Sequence, residues 1–253
     1  MAFETTLEDG IAEVVLNKPP VNALASAEWA ALAERFRSLG AEPGVRVVVL
    51  AAEGRGFCAG VDLKELDRDA SRITAVNRGC YDAFAAISEC PVPVVAAPHG
   101  FCLGGGIGLV GSSDAIVASE DASFGLPEID RGALGAATHL LRMFGIWKAR
   151  RMLLTGEPIG ALEAFRLGAL DAVVPRAELR SAARALAAKI AAKSPRAVRL
   201  AKESLNGIEL LDLKRSYRFE QGFTLELQAS PDSAEARRAF VEKRDPRFGG
   251  DPG

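Results

Sequence analysis

The sequence lacks what would commit it to a metal, a membrane or a nucleic acid. Its four cysteines, Cys58, Cys80, Cys90 and Cys102, show no CxxC spacing, so no metal cage is expected and they read as reduced thiols of a cytoplasmic protein. It has no uninterrupted apolar stretch of about 18 residues, so no membrane-spanning helix is expected. Formal net charge is −2 and no long basic run occurs, which argues against nucleic acid as the main partner. The opening MAFETTLEDG carries acids rather than a basic region followed by an apolar one, so a secretory leader is not expected. Neither an internal repeat nor a low-complexity linker is visible.

What is present is ordinary for a globular chain: 253 residues, 49% hydrophobic and 25% charged. That length allows a main domain with a substantial core and a smaller appendage. IAEVVL (11–16), RVVVLA (46–51), VPVVAA (92–97) and DAIVA (114–118) read as strands. Between them, Trp29, Leu32, Phe36 and Leu39 recur at helical spacing over 27–39, with Ser26 as the expected N-cap. Ile73, Val76, Cys80, Phe84 and Ile87 do the same over 70–88, and Pro91 stops that helix. Continuously apolar strands alternating with helices predict an α/β core with buried parallel strands. Past residue 132 the expected elements are helices at 135–144, 146–155, 160–168, 177–192, 195–209, 211–228 and 231–242, with one short strand at 171–174.

Three stretches could carry chemistry. HGFCLGGGIGLVG (99–111) places Gly104, Gly105 and Gly106 before a short helix expected to begin near Gly105. Two readings stand: a tight turn packing helix on strand, or backbone amides at a helix start aimed at a developing negative charge. FCAGVDLKEL (57–66) lets Gly60 turn the chain and present the amide of Val61, with Asp62 as a cap and Lys64 able to meet an anion. Its alternative is a capped helix start with a solvated lysine. FGLPEIDRG (124–132) fixes Glu128 behind Pro127, with Asp130 two residues on. A carboxylate framed by Leu126, Ile129 and Leu134 could act as a base near neutrality; the alternative is a solvated turn. His99 reads as a strand-end hydrogen-bonding residue, His139 as a packed one, and Cys58 and Cys102 as small packing residues.

These stretches, in this order, resemble the crotonase (enoyl-CoA hydratase/isomerase) superfamily. LNKPPVNALAS (16–26) resembles its N-terminal motif, FCAGVDLKEL and GFCLGGGIGL its two oxyanion loops, FGLPEIDRG its acid loop and AFVEKRDPRF (239–248) its tail. The resemblance implies a ββα-spiral, acyl-CoA-binding core over 1–194 and a helical oligomerisation region over 195–253, in a homotrimer or a dimer of trimers. It implies an acyl-CoA substrate, with CoA part of the substrate and no separate cofactor or metal. The amides of Val61 and Gly105 would hold the thioester oxygen as an enolate forms. CoA would lie along Asn22, Ala23, Ala59, Val61, Asp62, Leu63, Lys64 and Gly105, with Lys243 reaching it from a neighbouring subunit. Family hydratases use two glutamates; Glu128 matches one, and Gly108 stands where the other would be. One acid suits double-bond isomerisation or hydrolytic C–C cleavage better than hydration. The segments NRGC (77–80) and SYRFEQGFT (216–224) extend the similarity to crotonases of actinobacterial steroid breakdown. That likeness implies retro-Claisen opening of a bicyclic indane-type CoA ester, with Glu128 or Asp130 activating water. Isomerase, hydratase and a catalytically silent acyl-CoA-binding protein are the alternatives.

Overall fold

The computed structural model describes residues 2–193, 195–208, 213–229 and 231–244. Strands β1 (Phe3–Glu8) and β2 (Ile11–Leu16) form a hairpin, and β3 (Ala23–Leu24) leads into α1 (Ser26–Ala41). Next come β4 (Val47–Ala52), β5 (Gly60–Val61), α2 (Leu63–Arg68) and α3 (Ile73–Ser88). The pair β6 (Val94–Ala96) and β7 (Phe101–Leu103) precedes α4 (Gly105–Gly111); β8 (Ala115–Ser119) and β9 (Ser123–Gly125) precede α5 (Ala137–Thr155). Then follow β10 (Ile159–Gly160), α6 (Ala161–Arg166), β11 (Ala172–Val174) and α7 (Leu179–Ala191). The described chain closes with α8 (Pro195–Ile208), α9 (Leu213–Gln228) and α10 (Pro231–Glu242). Two strands followed by a helix, repeated, is the ββα spiral that the family resemblance implies.

The main sheet runs β1-β2-β4-β6-β8-β11, parallel except for the β1–β2 pair. β4 explains why its sequence is apolar without alternation. Val48, Leu50 and Ala52 join the core built with α1 and α3, while Val47, Val49 and Ala51 join the cluster under α7. Successive side chains point to opposite faces, and both faces are covered. β1 was not expected: FETTLE is mostly exposed and supplies an antiparallel edge whose polar residues give no apolar signal.

α1 carries the stripe its spacing predicts, and α3 buries Val76, Cys80, Phe84 and Ile87 of its own. Trp29, Leu32, Phe36 and Leu39 of α1 are buried, and each such side chain contributes roughly 1.5–3 kcal/mol of apolar burial. Ser26 is not the N-cap; Ala25 is. Glu65 of α2 serves that end instead, its Oε2 accepting from Ser26 N–H at 2.8 Å and its Oε1 from Ser26 Oγ at 2.6 Å. A carboxylate there also meets the positive end of the helix. The helices expected at 135–144 and 146–155 are present as the two halves of α5, separated at Gly145, whose backbone is not helical (φ 68°, ψ 169°).

The C-terminal helices lie on this body. Lys202 of α8 is buried, donating to Ile87 O and Val92 O at 3.3 Å and to Asp114 Oδ2 at 2.7 Å. α9 packs on α3 and α5, and α10 lies across the 127–131 turn and α2. Leu210, Leu211 and the tail beyond Arg244 lie outside the described residues, as do the side chains of Ile208, Phe219 and Phe223. Among the described residues no helix is long and apolar enough to cross a membrane.

Candidate active site

The two glycine-bearing loops are held side by side by strand pairing. Phe57 N–H donates to His99 O at 2.8 Å, Cys58 N–H to Phe101 O at 3.3 Å and Leu103 N–H to Cys58 O at 2.9 Å. This parallel seam ends where both loops turn. On the far side of β5, Ala59 N–H bonds Val21 O and Asp62 N–H bonds Leu24 O. Asp62 is the immediate neighbour of Val61, and successive amides of a strand point opposite ways, so the amide of Val61 points away from β3; the positive φ of Gly60 takes Ala59 out of that alternation. Gly105 is the first residue of α4, so its N–H is one of those with no acceptor inside the helix. Gly60 (φ +91°) closes the gap: a Cβ there would lie 2.9 Å from Gly105 N. Trp29 backs the second loop, its Nε1 donating to Leu24 O at 3.0 Å and its ring leaving no room for a Cβ at Gly105.

Below these amides lies a cavity of about 600 Å³. Ala23, Ala59, Val61, Asp62, Leu63, Lys64, Gly105 and Lys243, the residues that the family resemblance places along CoA, all line it. Lys243 lines the cavity of its own chain, at the end of α10, which packs on α2 and the 127–131 turn. Asn22 does not line it. Its Nδ2 donates to Glu53 O, Gly56 O and Phe57 O at 2.9, 3.0 and 3.1 Å, and its Oδ1 accepts from Lys18 N–H at 2.7 Å. These bonds make the Asn22 side chain a strut that braces the first loop.

Among the described residues, two carboxylates line the cavity. Asp62 caps α2 through Lys64 N–H at 3.1 Å and lies 3.4 Å from Lys18 Nζ. Glu128 sits in the 3₁₀ turn Pro127–Arg131, where a Cβ on Gly104 (φ +57°) would come within 2.3 Å of its Oε1. Its frame is Pro127, Ala133 and Leu134, not Ile129, which is exposed. Asp130 is exposed, does not line the cavity, and rests its carboxylate over Gly156 at the end of α5. Gly108 explains the missing second acid sterically. A Cβ there would fall 2.1 Å from Cζ of Phe84, so that ring fills the space a glutamate would need.

The remaining titratable candidates are structural. Cys58 donates its thiol to Asn22 O at 3.1 Å and accepts from Gly60 N–H at 3.3 Å, and burial pushes its pKa up to about 12. Burial likewise raises Cys80 and Cys102. Burial lowers His99, whose Nε2 meets Gly54 O at 3.1 Å. His139 is fully buried between Phe84 and Tyr217, with its pKa driven down to about 3 by burial and then by Arg142.

The sequence reading missed the wall formed by α3, α9 and α10. Asn77, Cys80, Phe84, Tyr217, Gln228, Arg237 and Phe240 line the cavity there. A signal existed: NRGC and SYRFEQGFT stand apart from the general motifs, and they supply Asn77, Cys80 and Tyr217. Arg237 was visible only as one of two adjacent arginines, and helix phase decides which is buried.

Comparison with known proteins gives a consistent picture. Residues 6–251 match the family described as enoyl-CoA hydratase/isomerase. A Rhodococcus jostii (strain RHA1) protein named (7aS)-7a-methyl-1,5-dioxo-2,3,5,6,7,7a-hexahydro-1H-indene-carboxyl-CoA hydrolase is 51% identical, across 96% of this chain and 95% of its own. A probable enoyl-CoA hydratase of Bacillus subtilis (strain 168) is 34% identical across 99% of both. The crystal structure of an enoyl-CoA hydratase from Mycobacterium avium subsp. paratuberculosis K-10 superposes with a TM-score of 0.88 at 27% identity, over 99% of each chain.

Proposed function

The chain belongs to the enoyl-CoA hydratase/isomerase family, and from that premise we propose that it hydrolytically opens a ring of a bicyclic, dioxo-indene-type CoA thioester. The observation that carries this reading is that Glu128 borders Gly104 of the paired glycine loops, while Phe84 fills the space beside Gly108 where family hydratases would carry their second glutamate. Hydration of a double bond needs one group to activate water and another to protonate carbon. C–C hydrolysis beside a ketone needs water activated once.

In the reaction, Glu128 takes a proton from water as the oxygen bonds to a ring ketone carbon. The tetrahedral adduct collapses with cleavage of the ring C–C bond. Its electron pair passes through the conjugated system into the thioester, whose oxygen accepts hydrogen bonds from Val61 and Gly105 N–H. Such donors act where charge develops, without reorganising. The proton on Glu128 then returns to carbon, and the new acid ionises to a carboxylate. Lys64 and Lys243 place positive charge around the cavity for the phosphates of CoA, which is substrate and not a cofactor. We assign the assembled enzyme as a homotrimer or a dimer of trimers, working in the cytoplasm.

The test is to incubate the protein with the bicyclic CoA ester and with linear enoyl-CoAs and follow products by mass. Ring opening with the gain of one water is the expected result. An isomer of unchanged mass from a linear ester, with the bicyclic ester untouched, assigns Glu128 to proton transfer between carbons instead. Hydration of crotonyl-CoA at about 100 per second or faster overturns the one-acid argument.

A further inference from the structure

The wall built by α3, α9 and α10 carries hydrogen-bond donors in excess. Arg237 is 7% exposed and lines the cavity. Its Nη1 donates to Gln228 Oε1 at 2.7 Å and to Ser233 Oγ at 2.5 Å, both neutral groups. Among the described residues it makes no ion pair; Asp67 acts on it only through space. A guanidinium has five N–H donors, and these bonds engage only one of its nitrogens. Buried charges are ordinarily paired, so a cation of this kind on a cavity wall is incomplete without a negative ligand group.

Its neighbour points the same way. Arginine only donates, so Gln228 must turn its Oε1 toward Arg237, which fixes the amide and leaves Nε2 on the other side. That Nε2 is buried with no hydrogen-bond partner, and Gln228 lines the cavity at 8% exposure. Asn77, equally buried, is held from behind by Gln221 Nε2, which donates to its backbone O at 2.6 Å. Its own Nδ2 is a second buried donor without a partner on the same wall. Donors from three side chains on one wall suit ketone and carboxylate oxygens. A plain hydrocarbon chain would leave all three unmet, which is costly in a buried site.

We propose that Arg237 and Gln228 form a carboxylate-binding subsite, with Asn77 as an adjoining carbonyl donor, selecting CoA thioesters whose acyl group bears oxygens remote from the thioester. Resting on the ring-opening reading above, Arg237 receives the carboxylate formed when water's oxygen bonds the ketone carbon and the ring bond breaks into the enolate. Arg237 is thus a specificity-determining residue that engages the product's new charge.

The test uses the full chain and two inert series that differ only at the far end. Succinyl-, glutaryl- and adipyl-CoA carry a terminal carboxylate; butyryl-, pentanoyl- and hexanoyl-CoA match them in length without it. Calorimetric titration is expected to show at least one carboxylate ester binding about 10- to 100-fold tighter than its partner. Arg237→Met brings that ratio close to one, and Arg237→Lys keeps part of it. Because the ratio compares two esters on one protein, general loosening of the fold does not mimic the effect. No preference at any length in the unaltered protein, or an undiminished ratio in Arg237→Met, overturns the subsite. A preference that stands while the bicyclic ester goes unopened overturns the reaction and keeps the subsite; ring opening with a ratio of one does the reverse.

Discussion

Glu128 and Asp130 are two residues apart and differ in everything that matters for catalysis. The first borders Gly104 inside the cavity; the second lies over Gly156 at the surface. Glu128→Gln keeps size and hydrogen bonding while removing basicity, so turnover on the bicyclic ester should fall about 100-fold or more with CoA-ester binding retained. Asp130→Asn should cost less than about tenfold. Steady-state kinetics on both variants checks this, and the reverse ranking would move the base to Asp130. At this scale the sequence was legible where a neighbour constrained it, as Pro127 constrains Glu128. It was misleading at Asn22, because a buried asparagine consumed by backbone carbonyls and one that meets a ligand look alike in a motif.

Among the elements, the seam joining residues 57–58 to 99–103 sets the spacing of the two amides, and Gly60 is its narrowest point. Gly60→Ala combines a left-handed φ with a Cβ 2.9 Å from backbone at Gly105, so the loops must separate. Losing one such donor typically costs about 100- to 1,000-fold in turnover. That is the expected fall in kcat for Gly60→Ala, with circular dichroism unchanged; near-normal kcat would show that the amide pair is not needed. The helices and long strands of this layer were readable because periodicity survives in each. The strands β3, β5, β7, β9 and β10 were not, since each is two or three residues long and no period can be detected. They are nonetheless the strands that hold the loops.

For the whole molecule, several large apolar residues outside the cavity are exposed. Trp147 is 82% exposed, and Ile146, Leu154, Leu162, Phe165, Leu200 and Leu205 are also open. We expect sedimentation to give a trimer or hexamer with interfaces burying well over about 2,000 Å²; a stable, active monomer would refute it. The same scale gives Phe84 its meaning. Its ring meets Trp29 of α1, His139 of α5 and Tyr217 of α9, and presses on Gly108 of α4. A carboxylate at 108 therefore requires a smaller residue at 84, and a smaller residue at 84 alone leaves a void among three rings. Neighbouring changes of this kind do not add. In the space of possible sequences, the one-acid and two-acid forms of this site stand on separate hills, and no single substitution walks from one to the other.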